Sequence, residues 1–176
     1  MSKFKNKYLR AYLTMLLFLS ISLISYSQKS DSVLFKVPTD VILRNVYGGT
    51  FNSSNITNQG KPIIIIFWKY CCSSNISMLS NLNELYSDWQ KETGVVIYAV
   101  SIDDPRNSLR IAPLVNSNQW EFNVLLDVNS DFKRAMNVLA VPHIFIVNGN
   151  NQVVWQKSLY VSGEEDEIYK ILKSLK

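Results

Sequence analysis

Two cysteines stand side by side, Cys71 and Cys72, and the chain holds no others. A thiol attacks as its thiolate, so its chemistry is set by what the flanking residues build around it. Ahead of the pair, Ile63–Trp68 is a continuous apolar run entered through Gly60-Lys61-Pro62, which suits a strand covered on both faces. Behind it, Ser73, Ser74 and Asn75 offer helix caps. Apolar side chains then recur at Ile76, Leu79, Leu82, Tyr86 and Trp89, with Gly94 as a stop. That spacing predicts a helix. The cysteines are thereby placed between a buried strand and a helix N-terminus, where unpaired N–H groups and the helix dipole favour thiolate. This is a redox-type position.

The other candidate groups are few. His143 is the only histidine; near Cys72 it would stabilise a thiolate or join both sulfurs in a copper site, and otherwise it is an ordinary histidine of the last hairpin, the reading favoured here. Phe67 and Trp89 are expected in the core and Tyr70 at the surface beside the cysteines. No metal or nucleotide site is evident, and no organic cofactor is implied.

The elements that must position these residues follow in order. Val41–Arg44 reads as a strand, Tyr47–Thr50 as a tight turn, and the Asn- and Ser-rich Asn52–Lys61 as a loop. Val95–Ser101 is a second buried strand, parallel to the first through a right-handed crossover. Asp104 and Pro105 suit the N-cap and first turn of a short helix near Arg106–Val115, which Pro113 should kink or end. Asn123–Leu126 is a short strand closed by Asp127, and Ser130 is placed to cap a short helix. Asn148-Gly149 signals a hairpin between Ile144–Val147 and Val153–Trp155. Ser162 and Glu165 fit a capping box opening a last helix, whose buried stripe is Ile168, Ile171, Leu172 and Leu175.

Composition narrows the setting. Lys3, Lys5, Lys7 and Arg10 precede the apolar segment Ala11–Ile24, which falls short of the ~20 residues a bilayer span requires. Small residues at Ser25 and Ser27 predict cleavage before Gln28, so residues 1–27 read as a signal peptide, 28–40 as a lead-in and 41–176 as one domain. The segment 1–27 carries four of the 18 Lys and Arg and no acidic residue, leaving 14 cations against 14 anions. A domain without net charge gives no electrostatic reason to expect nucleic acid or an acidic membrane as partner. Export to the periplasm or cell envelope puts the cysteines where disulfide chemistry is permitted, and a monomer without a membrane span is expected after cleavage.

In this order the elements resemble the thioredoxin fold, an α/β domain with a central mixed sheet flanked by helices on both faces. Within that fold, Gly60–Trp68, Tyr70–Asn75, the segment Asp127 to Pro142 and the hairpin Ile144–Trp155 are similar to the exported TlpA/ResA-like thiol-disulfide proteins. The resemblance implies that Cys72 is the nucleophile and that Cys71 replaces the tryptophan before it. It also implies that Asn75, itself a possible helix cap, replaces the resolving cysteine. Pro142 matches a proline whose preceding bond is cis in the family, where that loop offers backbone hydrogen bonds to a bound polypeptide; this implies Val141 and Pro142 as substrate contacts, to which Tyr70 is added for its place beside the cysteines. The sequence alone presents Val141-Pro142 as a bond for which trans is the default.

The departures from the family matter. Asn75 cannot attack a disulfide, and Ile66 and Met78 are apolar where proton-relaying acids stand in relatives. Three roles are open to Cys71: resolving Cys72 through a vicinal disulfide, bonding a partner, or packing. Adjacent cysteines are closer than disulfide geometry prefers, so packing with incidental reactivity is favoured. The copper-chaperone spacing C-x-x-x-C is missing. So is the threonine that peroxiredoxins place three residues before their cysteine, a position held here by Lys69. Two functions remain: a monothiol oxidoreductase working with protein thiols or disulfides or a thiol reductant, and a binding module that holds a polypeptide without turnover.

Overall fold

The computed structural model describes residues 33–176; the expected signal segment and the start of the lead-in lie outside the described residues. Ile63–Trp68 forms β4, and every one of its six side chains is buried. Alternate residues serve different cores, as the two-residue period of a strand requires. Ile64, Ile66 and Trp68 join the cluster under the long helix α1 (Ser73–Thr93) and the last helix α5 (Glu165–Ser174). Ile63, Ile65 and Phe67 join the opposite cluster, which includes Phe132 from the short α4 (Asp131–Ala135). Burying each such side chain contributes about 1.5–3 kcal/mol, which is why an unbroken apolar run settles at the centre.

Around β4 the sheet has eight strands in the order β1-β8-β7-β4-β5-β6-β2-β3. These are β1 (Phe35–Lys36), β2 (Ile42–Asn45), β3 (Thr50–Asn52), β5 (Val96–Ser101), β6 (Asn123–Leu126), β7 (His143–Val147) and β8 (Gln152–Ser158). β4, β5 and β6 run parallel, Ile63 opposite Val96 and Trp68 opposite Ser101. β7 and β8 close one side antiparallel, with β1 at the edge on β8. β2 and β3 form the other, joined by a turn in which Asn45 N–H donates to Gly49 O and Gly48 N–H to Asn45 O. The mixed sheet with helices on both faces is the architecture expected.

Several ends differ from the expectation. The helix after β5 is two pieces, α2 (Pro105–Ser108), capped by the Asp104 carboxylate, and α3 (Ile111–Asn118). The break precedes Pro113, which sits in the first turn of α3, where a missing N–H leaves no bond unmade. Ser130 does not cap α4: it is left-handed at φ 58°, and the Asp127 carboxylate instead accepts from Phe132 and Lys133 N–H at 3.2 and 2.7 Å. An ionised acceptor outcompetes a hydroxyl for those donors. Ser162 opens no capping box either. α5 starts at Glu165, and the carboxylates of Glu164 and Glu165 accept from Val161 and Gly163 N–H. In the β7–β8 turn, Asn148 Oδ1 takes the N–H groups of Asn150 and Gln152. Gly149 is needed there because a Cβ would lie 2.0 Å from the Gly60 carbonyl oxygen.

Candidate active site

At the carboxyl end of β4 the chain leaves the sheet through Lys69 and Tyr70 and reaches α1 at Ser73. Cys72 is the N-cap of α1, extended at φ −107° and ψ 105°. Its carbonyl accepts from Asn75 and Ile76 N–H at 3.0 and 3.3 Å, so it belongs to the helix ladder while its side chain makes no capping bond. At the far end Gly94 adopts the left-handed conformation, φ 71°, and donates to Gln90 O. The 21 residues between bury Met78, Leu79, Leu82, Tyr86 and Trp89 against the sheet, which fixes where the N-terminus points.

Cys71 is exposed and Cys72 half-buried, both as free thiols with their sulfurs 3.6 Å apart. Asn75 does not cap the helix as expected. It lies inside the first turn at 1 % exposure, and its Oδ1 has no partner among the described residues. The expectation of a thiolate-favouring site also needs correction. The Cys72 thiol is pushed up from its ordinary value, first by its hydrogen bond to Cys71, then by burial and by the charge of Cys71. A hydrogen bond from Asn75 and the charge of Lys69 pull the other way. Two thiols this close compete for protonation, and that interaction outweighs the pull of Asn75 and Lys69.

Beneath the loop is a carboxylate that sequence reasoning missed. Asp103, only 4 % exposed, accepts from Tyr70 N–H and from Ser101 Oγ–H, each at 2.8 Å to the same oxygen, Oδ2. It ties the residue before Cys71 to the end of β5. The signal is the pair of acids Asp103-Asp104, separated by one residue from a buried strand, of which only the second reads as a helix cap. Arg110 lies over the Tyr70 ring, 5.8 Å from its centroid, and holds the half-exposed tyrosine from outside. Phe67 and Trp89 are core residues, as expected.

The Val141-Pro142 bond is cis. Pro142 is buried and its carbonyl accepts from Leu159 N–H at 3.0 Å, while half-buried Val141 packs against the core cluster that holds Phe67 and Phe132. On either side of this loop Leu139 is 86 % exposed and Leu159 64 %. His143 stacks on Phe145 with ring centroids 4.4 Å apart, and its Nε2 pairs with Gln156 Oε1 at 3.1 Å. Burial lowers its pKa and favours the neutral ring. Its contacts are those of a histidine on the hairpin, the place expected for it.

A central strand ending in a half-exposed cysteine at a helix N-cap, with a cis-proline before the next strand, defines a thioredoxin-like protein. The family model described as AhpC/TSA family matches residues 33–156, and the chain belongs to that family. Among curated proteins it is similar to the thiol-disulfide oxidoreductase ResA of Geobacillus kaustophilus, 23 % identical over 151 residues that cover 86 % of this chain and 83 % of the relative. Among solved structures it is similar to a thioredoxin-like protein from Porphyromonas gingivalis, with 44 % identity, a TM-score of 0.70 and coverage of 79 % and 90 %. It also superposes on a protein described as a DsbE-type thiol:disulfide interchange protein from Chlorobium tepidum, TM-score 0.70, 20 % identical, covering 82 % of this chain and 99 % of that one. The last likeness is one of fold.

Proposed function

We propose that the chain is an exported thiol-disulfide oxidoreductase of TlpA/ResA type that acts through Cys72. The observation that carries this is the placement of Cys72 as N-cap of a 21-residue helix at the end of the central strand. There the helix N-terminus favours the attacking thiolate, against the upward pull of Cys71 and burial on the thiol. Cys71 is an auxiliary thiol. Val141 and Pro142, with Tyr70, form the contact surface for a polypeptide, and the exposed Leu139 and Leu159 on either side give that surface an apolar rim. The partners are protein thiols or disulfides, or a thiol reductant. The basic and apolar N-terminal segment and the resemblance to ResA support a periplasmic or cell-envelope setting.

The test is capture of a disulfide-bonded peptide by the reduced full-length protein, read as a mixed disulfide by non-reducing mass spectrometry. In a Cys71→Ser background, capture at Cys72 that is lost on adding Cys72→Ser supports the reading; no adduct at Cys72 in that background sinks it. Hydrogen peroxide serves as the control oxidant, with slow reaction expected because Lys69 occupies the place of a peroxide-orienting threonine.

A second reading is favoured by the buried Asn75 and the raised Cys72 pKa. In it the surface around Val141 and Pro142 binds a polypeptide without turnover. Partner binding undiminished in Cys72→Ser is the outcome that selects it.

A further inference from the structure

Once Cys72 has captured a disulfide, something must release the product, and Asn75 has no nucleophile to offer. The chain contains only two cysteines, so the only thiol that can resolve a Cys72 adduct from within is Cys71. Its sulfur already lies 3.6 Å from that of Cys72, and neither thiol is enclosed by the core. We propose that Cys71 is the resolving thiol, and that the oxidised form of this protein carries a disulfide between neighbouring residues. This rests on the reading of Cys72 as the nucleophile.

The exchange balances without a further reagent. The Cys72 thiolate attacks a substrate disulfide, one sulfur–sulfur bond breaks, and the first substrate thiolate leaves. The Cys71 thiolate then attacks the Cys72 sulfur, and the second substrate thiolate leaves. The substrate disulfide has gained two electrons and the cysteine pair has lost them. Consecutive Cα atoms are about 3.8 Å apart, below the usual ~4.4 Å minimum for a disulfide, so the vicinal bond is strained and easily reduced. That suits a transient state. An external dithiol attacking the exposed Cys71 sulfur resets the pair and expels Cys72 as the leaving thiolate.

The experiment treats the reduced full-length protein, without oxygen, with one equivalent of dithiobis-nitrobenzoate, a symmetrical aromatic disulfide whose thiolate is coloured. Expected are two coloured thiolates per protein and a product lighter than the reduced chain by two hydrogens. Cys71→Ser, and Cys71→Ala as a second background, should release one and keep the aromatic adduct on Cys72. Release of one thiolate by the parent, with the adduct retained on Cys72, overturns resolution by Cys71 and leaves Cys72 as nucleophile. A disulfide-linked dimer through Cys71 also overturns it. An adduct found only on Cys71, with no reaction at Cys72 in Cys71→Ser, overturns the reading of Cys72 itself.

Discussion

Removing the Asp103 carboxylate is the sharpest structural perturbation of the cysteine loop. Its Oδ2 accepts two hydrogen bonds of 2.8 Å, one from Tyr70 N–H and one from the hydroxyl of Ser101, a residue 1 % exposed. A hydrogen bond to a charged acceptor contributes about 1.5–3 kcal/mol, and a donor left buried without a partner adds a further penalty. Asp103→Ala removes both bonds, and Tyr70 N–H lies near enough to water to recover part of its loss. The expected cost is about 3–4 kcal/mol of unfolding free energy. Asp103→Asn keeps a neutral acceptor at the same place and should cost about 1–2 kcal/mol. Ser101→Ala removes one donor together with its acceptor bond to Asp103 N–H and should cost about 1–2 kcal/mol. Urea unfolding of the full-length protein, followed by tryptophan fluorescence, reads this directly, since Trp68 and Trp120 meet edge to face in the core. The midpoint should fall in the order parent, Asn or Ser101→Ala, then Ala, at constant slope. Because Tyr70 precedes Cys71, the Ala variant should also change the alkylation rates of the thiols. A cost for Asp103→Ala within about 0.5 kcal/mol of zero, the range of an ordinary surface change, refutes the assignment of Asp103 as the tie beneath the loop.

Other consequences can be checked more simply. Cys71→Ala removes the largest cause raising the Cys72 thiol, so the pH midpoint of Cys72 alkylation should move down; an unchanged or higher midpoint contradicts the account. Asn75→Ala, which removes a hydrogen bond to Cys72, should move it up. Asp127 is raised above its ordinary value by burial, although Lys133 and Phe132 N–H oppose the shift. It therefore binds a proton more readily folded than unfolded, and its contribution to stability falls as pH rises through the folded pKa. Relative to the parent, Asp127→Asn should be better tolerated near neutrality than in acid, and paired urea titrations at the two pH values would show a pH-independent difference if this is wrong. Gly149→Ala drives a methyl into the Gly60 carbonyl oxygen and should cost about 1–3 kcal/mol; an unchanged unfolding midpoint would mean that the two turns separate freely.

Strong apolar patterning was legible in the sequence, and so were the elements it builds. β4 starts and ends at the residues its apolar run predicts, and Gly94 terminates α1 because a left-handed φ is easiest for glycine. The ends governed by local competition were less legible. Ser130, Ser162 and Asn75 each have the chemistry of a cap, yet Ser130 makes no side-chain bond from its N-cap position, Asp127 taking those N–H groups instead, and Glu164 and Cys72 hold the N-cap positions of α5 and α1. Which acceptor reaches a given N–H depends on a loop path that residue type does not specify. The site divides in the same way. The strand–cysteine–helix order could be read from Ile63 to Gly94, whereas the Asp103 contact joins two strand ends 33 residues apart. The thiol pair lies at the helix N-terminus as the residue order implies, but Cys72 is pushed up by its bond to Cys71, by burial and by the charge of Cys71, which residue order does not specify.

Position 75 turns these points into a single decisive substitution. Asn75 stands three residues after Cys72, where the resemblance to TlpA/ResA-like proteins implies a resolving thiol, and the structure buries it in the first turn of α1 beside Cys72. Asn75→Cys, made in a Cys71→Ser background, supplies a thiol at that place while removing the only other one. The replacement is smaller than asparagine and takes away a buried oxygen that has no partner among the described residues, so stability should not fall by more than about 1 kcal/mol. It also removes the Asn75 hydrogen bond that favours the Cys72 thiolate, which should slow the first attack. Capture and release are thus affected in opposite directions. Under one equivalent of the aromatic disulfide, Cys71→Ser should stop at an adduct on Cys72. The double variant should react more slowly at first and then release the second thiolate. If the adduct persists in the double variant although the protein is folded, residue 75 is not aligned with the Cys72 sulfur, and the correspondence with a dithiol active site fails at that position. If release is restored, this scaffold retains the geometry for exchange between positions 72 and 75, and asparagine has closed that route.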